Sequence, residues 1–165
     1  MFRTPLLLAS IVALSGCAAT GHLYSDHLKA QSPIPSGLSR VTIYRTGETD
    51  QYSARDARIS LDGKTVSKVA YKGFTTFEIQ PGSHAVFADM WDAVGSCKVQ
   101  FEAISGNEYY FEVAPRREHL MGSLVFGFVG AAIESAGKEC GGAFAIVSKP
   151  RDTATIALSS LKLSE

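Results

Sequence analysis

The stretch that decides the fold is Lys98-Val99-Gln100-Phe101-Glu102-Ala103, Ser105-Gly106-Asn107, then Glu108-Tyr109-Tyr110-Phe111-Glu112-Val113. In the first run, apolar and polar side chains alternate, which is the period of a strand with one buried and one wet face. The second run repeats the pattern. Ser-Gly-Asn between them is a turn signal, so the two runs are expected to form a hairpin.

Working outward, the same period recurs. Val41 and Ile43 alternate with Thr42 and Tyr44, and Ile59 and Leu61 alternate with Arg58 and Ser60. Asp62-Gly63 marks a tight hairpin because both positions must accept positive φ. Pro81-Gly82 marks a further turn. Short strands with turns this close predict a mostly β chain: a single antiparallel β-sandwich over about 38–163, each sheet having one wet side. Upstream, Ala18 to about Leu38 is polar and broken by Gly21, Pro33, Pro35 and Gly37. Pro33-Ile34-Pro35 cannot lie inside a helix. Residues 17–37 therefore read as a flexible tether, with room for one short helical turn near Tyr24 to Ala30.

Composition removes several classes. The chain has 165 residues, 45% of them hydrophobic and 19% charged, which is wrong for a disordered chain. Sixteen basic residues balance sixteen acidic ones, so the basic surplus of a nucleic-acid binder is missing. Three cysteines are too few for a disulfide-built miniprotein.

The N-terminus reads as an export signal over residues 1–16. Arg3 supplies positive charge, and Leu6, Leu7, Leu8, Ala9, Ile11, Val12 and Ala13 form an apolar core too short to span a bilayer. It ends Leu14-Ser15-Gly16-Cys17, which resembles the lipobox of bacterial lipoproteins. That resemblance implies diacylglycerol on the Cys17 thiol, cleavage before Cys17 and acylation of the new amine. The alternative is an ordinary signal peptide in which Cys17 is incidental. Ala18 and Ala19 follow, without the Asp that tends to retain lipoproteins at the inner membrane. In a Gram-negative host this points to the outer membrane, facing the periplasm.

Ile59-Ser60-Leu61-Asp62-Gly63-Lys64 followed by Phe77-Glu78-Ile79-Gln80-Pro81-Gly82-Ser83-His84-Ala85-Val86 resembles the PEGA-type β-domains of bacterial surface proteins. Together with the lipobox, the opening strand Arg40 to Arg45 and the later Gly-Asn-Glu-Tyr-Tyr turn, the chain resembles an uncharacterised bacterial lipoprotein family, domain of unknown function 2846, over roughly Leu38 to Leu163. The resemblance implies a fold and carries no catalytic residue.

Chemistry-bearing groups are few. With Cys17 lipidated, Cys97 and Cys140 form an even pair, and in an oxidising compartment an even pair suggests a disulfide. In the chain-entropy model that bond stabilises by about 4 kcal/mol. A redox or nucleophilic cysteine is the other reading, without a Cys-x-x-Cys or an adjacent His to support it. His22, His27, His84 and His119 show no metal-ligand spacing; His84 is expected to cap its turn or sit on the wet face of its strand. Arg116-Arg117-Glu118-His119 reads as a solvated loop, with contact to lipid headgroups as the alternative. Trp91 reads as a buried loop anchor, with an exposed recognition residue as the alternative. Neither a nucleophile elbow, a P-loop nor a dinucleotide fingerprint is present, and no cofactor, metal or enzymatic activity is expected.

Leu120 to Ile133, LMGSLVFGFVGAAI, carries no charge over fourteen residues, short of the roughly 18 a span needs. It lies in a Gly-rich insertion near 118–140 that reads as helical or hairpin. Three readings stand: a helix or turn packed on the sandwich, a surface hairpin meeting membrane or partner through Leu124, Phe126 and Phe128, or further strands. The functional expectation is a lipid-anchored envelope protein with a binding or structural domain, its partner another envelope protein or a glycan. The alternative is a membrane-associated assembly component that uses 120–133 for oligomerisation or membrane contact.

Overall fold

The computed structural model describes residues 18–117 and 140–165. The alternating runs become strands: β1 (Ser39–Arg45), β2 (Ala57–Leu61), β3 (Lys64–Val69), β4 (Gly73–Ile79), β5 (Gly82–Asp89), β6 (Ser96–Ala103), β7 (Glu108–Pro115), β8 (Phe144–Lys149) and the short β9 (Lys162–Leu163). They form two sheets, ordered β8-β7-β1-β4-β9 and β3-β2-β5-β6. The sheets pack as a sandwich. Val41 and Ile43 of β1, Ile59 of β2, Val86 of β5, Phe111 and Val113 of β7 and Phe144 of β8 are fully buried between them.

Asp62-Gly63 closes the expected two-residue hairpin between β2 and β3, with φ of 49° and 81°. Ser105-Gly106-Asn107 does not close one. β6 belongs to the four-stranded sheet and β7 to the five-stranded sheet, so this turn carries the chain from one layer to the other. Its backbone is held by β1's approach instead: Gly106 N–H donates to the Leu38 carbonyl at 2.8 Å, and Arg40 N–H to the Asn107 carbonyl at 3.0 Å. The apolar faces of β6 and β7 meet across the core, with the Phe101 and Phe111 rings 5.0 Å apart. Alternation says which face is buried, and it is the same whether two strands lie side by side or face to face. The Pro81-Gly82 turn crosses layers in the same way, from β4 to β5.

The four-stranded sheet is antiparallel throughout. The five-stranded sheet is mixed, because β1 runs parallel to β7 and β4 parallel to β9. Its outer face is covered over β1 and its neighbours, while Val147 at the β8 edge stays half exposed. α1 (Tyr24–Ala30), where a helical turn was expected, and α2 (Arg151–Leu158), which was not foreseen, cover it. Tyr24, Tyr44, Phe74, Tyr110, Ala154, Leu158 and Leu161 form a second buried cluster there, so all seven residues of β1 are buried. Pro150 supplies the extended N-cap of α2, Asp152 lies in its first turn, and Ala154 and Leu158, four apart, turn to the sheet. Arg40 of β1, buried on this face, donates to Glu78 Oε1 through Nε and Nη2, and again through Nη2 to the Ser32 carbonyl.

Residues 18–37, read as a tether, are tied to the domain. Ala18 bridges Tyr71 and Leu23 bridges Lys162. Ala19 N–H donates to the Tyr71 carbonyl, Gly21 N–H to Leu163 and Tyr24 N–H to Leu161. The polar, Pro-broken sequence reflects an irregular path over a surface, not freedom from it. Cys97 and Cys140 form the expected disulfide. It joins β6 of one sheet to the residues leading into β8 of the other. Among the described residues, no helix is long and apolar enough to cross a membrane.

Candidate functional site

Strand directions gather one set of loops at a single pole. β1 ends at Arg45 opposite Gly73, the start of β4. β2 starts at Ala57 opposite Val69, the end of β3, and β5 ends at Asp89 opposite Ser96 of β6. The loop 46–56, the turn 70–72, the loop 90–95, β9 and Ala18 therefore lie together.

The pole is organised around Arg45. Its side chain continues the inward row of Val41 and Ile43 and is 1% exposed. Nη1 donates to the Arg55 carbonyl at 2.6 Å, and Nη2 donates to the Gln51 and Tyr52 carbonyls at 3.0 and 2.8 Å. The guanidinium lies 4.7 Å from the Phe144 ring centroid and 5.6 Å from that of Tyr71. Planar donors and a weakly hydrated face suit Arg to this double role. Burial lowers its pKa to about 10, with Asp56 opposing, so it remains charged at neutral pH. Nε has no hydrogen-bond partner among the described residues.

The loop so fixed presents Arg55 outward. Ala54, Arg55, Asp56, Arg58, Lys68 and Trp91 line an open groove of ≈ 330 Å³. Arg55 Nε pairs with Asp92 Oδ2 at 2.8 Å, and Arg58 Nε with Asp89 Oδ1 at 2.7 Å. Lys68 faces the groove without an ion pair among the described residues. Trp91 is 70% exposed, which overturns its reading as a buried anchor. The loop is instead anchored by its backbone: Ala93 N–H donates to the Met90 carbonyl, and Met90 fills the core. Chemically, the groove offers a flat stacking surface, cationic donors and carboxylate acceptors.

A second depression shares Asp56 and Lys68 with this groove and adds Ser67, Ala70, Ser164 and Glu165. Ala70 N–H donates to Ser164 Oγ at 3.1 Å, one residue from the Tyr71 that holds Ala18. At Gly73 a Cβ would fall 2.8 Å from the Ala19 Cβ and 2.4 Å from Ser164 Oγ, so a glycine is needed for the N-terminal arm to dock this close. Beyond Lys72 lies a third depression containing Gly47, Glu48, Ile156 and Ala157.

Of the residues singled out by sequence, Cys17, His119, Leu124, Phe126 and Phe128 lie outside the described residues. Both sides of 118–139 can be followed. Arg116 N–H donates to the Ala143 carbonyl and Gly141 N–H to Ser96, so Arg117 and Cys140 stand at the same pole as Ala18. His84 lies at the opposite pole and caps its turn as expected: Nε2 lies 2.8 Å from the Gln80 carbonyl and Nδ1 2.7 Å from Asp62 Oδ2. Hydrogen bonding to Asp62 raises its pKa. The Ala85 amide, then His84, lower that of Asp62. His27 packs against Phe74, and burial, then Arg40, lower its pKa. Among the described residues, no group of three or more His, Cys, Asp or Glu is placed to hold a metal ion. The grouping of Arg55, Arg58 and Lys68 with Trp91 was missed. Only Arg58 carried a signal, as an outward position in an alternating strand.

No protein-family model and no curated protein matches this sequence. Among solved structures, the chain is similar to the N-terminal domain of AlgF from P. aeruginosa, at 16% identity over 73% of this chain and 100% of that one, with a TM-score of 0.31.

Proposed function

We propose that this chain is a lipid-anchored protein of the bacterial cell envelope, acylated at Cys17, with the β-sandwich as a binding or structural module. In a Gram-negative host its place is the outer membrane, facing the periplasm. The observation that carries the reading is Leu14-Ser15-Gly16-Cys17 following a charged and then apolar leader. The turn and strand motifs support kinship with the lipoproteins of domain of unknown function 2846 and with PEGA-like domains. The partner is another envelope protein or a glycan. The test is metabolic labelling with a fatty acid. Wild-type protein takes up label and fractionates with membranes, and Cys17→Ser does neither; label retained by Cys17→Ser defeats the reading.

A second reading is an assembly component that uses 120–133 for oligomerisation or membrane contact. It is favoured by Arg117 and Cys140, the described residues on either side of 118–139, which stand at the pole of Ala18. A chain starting at Ala18 separates the two. Monomeric behaviour without liposome flotation supports the first reading, and oligomers or flotation support the second.

A further inference from the structure

We propose that the pole carrying Ala18 rests directly on phospholipid headgroups, with Trp91 and Ile156 at the membrane interface and Lys68 and Lys72 between them. The inference rests on acylation of Cys17 and adds an orientation to it. A flexible tether of about twenty residues would let a domain range roughly 25 Å from its anchor. Here the described residues 18–24 are bonded to the domain instead. Ala18 is bridged to Tyr71 and Ala19 is buried and hydrogen bonded to the Tyr71 carbonyl, so the residue bearing the acyl chains is joined directly to the folded body. Consecutive Cα atoms are about 3.8 Å apart, so the bilayer surface lies within one residue of the turn 70–72.

The composition of that pole fits a headgroup layer. Trp91 and Ile156, at 70% and 77%, are more exposed than any other large hydrophobic residue described, and each lines a depression of this pole. Tryptophan, with an apolar ring and a polar N–H, is enriched where a membrane meets water. Lys68 lies near the end of β3, three residues before Tyr71. Lys72 holds its ammonium 5.2 Å from the Tyr71 ring centroid, and Lys68 has no ion pair among the described residues, so both are available to lipid phosphate. The Arg55–Asp92 and Arg58–Asp89 pairs are mutually neutralised. Contact thus follows from the short anchor and the interfacial aromatic more than from charge.

Trp91 is the chain's single tryptophan, so its fluorescence reports this surface alone. The experiment uses full-length protein extracted from membranes and reconstituted into vesicles of phosphatidylethanolamine and phosphatidylglycerol, with and without brominated acyl chains. Intact mass is measured on the same sample. The expected result is loss of Trp91 emission to brominated lipid and protection from aqueous iodide. A Gly-Ser spacer of about twenty residues between Cys17 and Ala18 is expected to restore emission at unchanged acylation. Acylated Cys17 with Trp91 open to iodide overturns the orientation alone, as does quenching that survives the spacer. So does a soluble oligosaccharide that shifts Trp91 emission when brominated lipid does not. Absence of acyl mass on Cys17 overturns the anchor reading, and the orientation with it.

Discussion

The two sheets are built from similar alternating sequences and end in different environments. In the four-stranded sheet, Ala57 and Ile59 of β2 and Val86 and Ala88 of β5 face the core, while Arg58, Ser60 and Asp89 face outward. The edge strand β3 exposes Lys64, Val66 and Lys68, and charge on an edge discourages pairing with another chain. In the five-stranded sheet, the outward residues Thr42 and Tyr44 are as buried as Val41 and Ile43. The difference comes from what lies over each sheet. The segments before β1 and after β8 fold back over the five-stranded sheet, and the described residues place no helix over the other. A parallel pair such as β1–β7 is characteristic of strands covered on both faces.

The largest expected effect tests whether the helical cover is a true second core. Phe74 is fully buried beneath Tyr24 and His27, with ring centroids 5.2 and 5.3 Å away. Phe74→Ala should destabilise by about 3–5 kcal/mol in urea unfolding, as much as Phe111→Ala between the sheets. A cost below about 1 kcal/mol for Phe74→Ala alone would mean that the cover is only loosely applied.

The bond between the sheets comes next. The Cys97–Cys140 bridge spans 43 residues of sequence. Replacing both cysteines with serine should lower stability by about 2–4 kcal/mol, read as a shifted denaturant midpoint. An unchanged midpoint would show that the sheets need no covalent link.

A smaller effect concerns the hairpin end of the four-stranded sheet. His84 has a raised pKa, so its pairing with Asp62 stabilises fully below the unfolded histidine value of 6.5 and is lost as pH rises through the folded value. Asp62 has a lowered pKa, so its share is present above 3.8 and is lost as pH falls through its folded value. His84→Gln should therefore cost more at pH 5.5 than at pH 8.5, with a difference of about 0.2–1 kcal/mol because Asp62 is half exposed. Equal cost at both pH values would contradict the pairing. The smallest effect belongs to the groove: Trp91→Ala should leave stability within about 0.5 kcal/mol of wild type, because its ring fills no core.

Alternation and turn residues made the sandwich, the β2–β3 hairpin and the inward face of β1 legible in the sequence. They did not make strand pairing legible. Phe101 and Phe111 pack in the same core whether their strands are neighbours or opposites, and only the partners of Gly106 and Arg40 decide. The N-terminal arm was obscured because Gly21, Pro33 and Pro35 signal broken backbone, and a broken backbone can still be bonded, as at Ala19 and Gly21. α2 was obscured by its length: eight residues yield one pair of core contacts, Ala154 and Leu158, too few to display a period. The Trp91 groove draws on four loops and strands, and its assembly depends on Arg45, whose role emerges only once carbonyls from residues 51, 52 and 55 converge on it.

The pairing of β9 bears on how the chain acquires its structure. Lys162 pairs with Gly73 and with Leu23, so β9 closes an edge whose other members lie far upstream of it. β1 likewise waits for β7, whose partner residues follow it by 68 positions along the chain (Arg40 with Glu108). Contacts so distant in sequence must overcome loop-closure entropy before they stabilise anything, which slows folding. A chain emerging N-terminus first cannot complete the five-stranded sheet until Lys162 and Leu163 arrive.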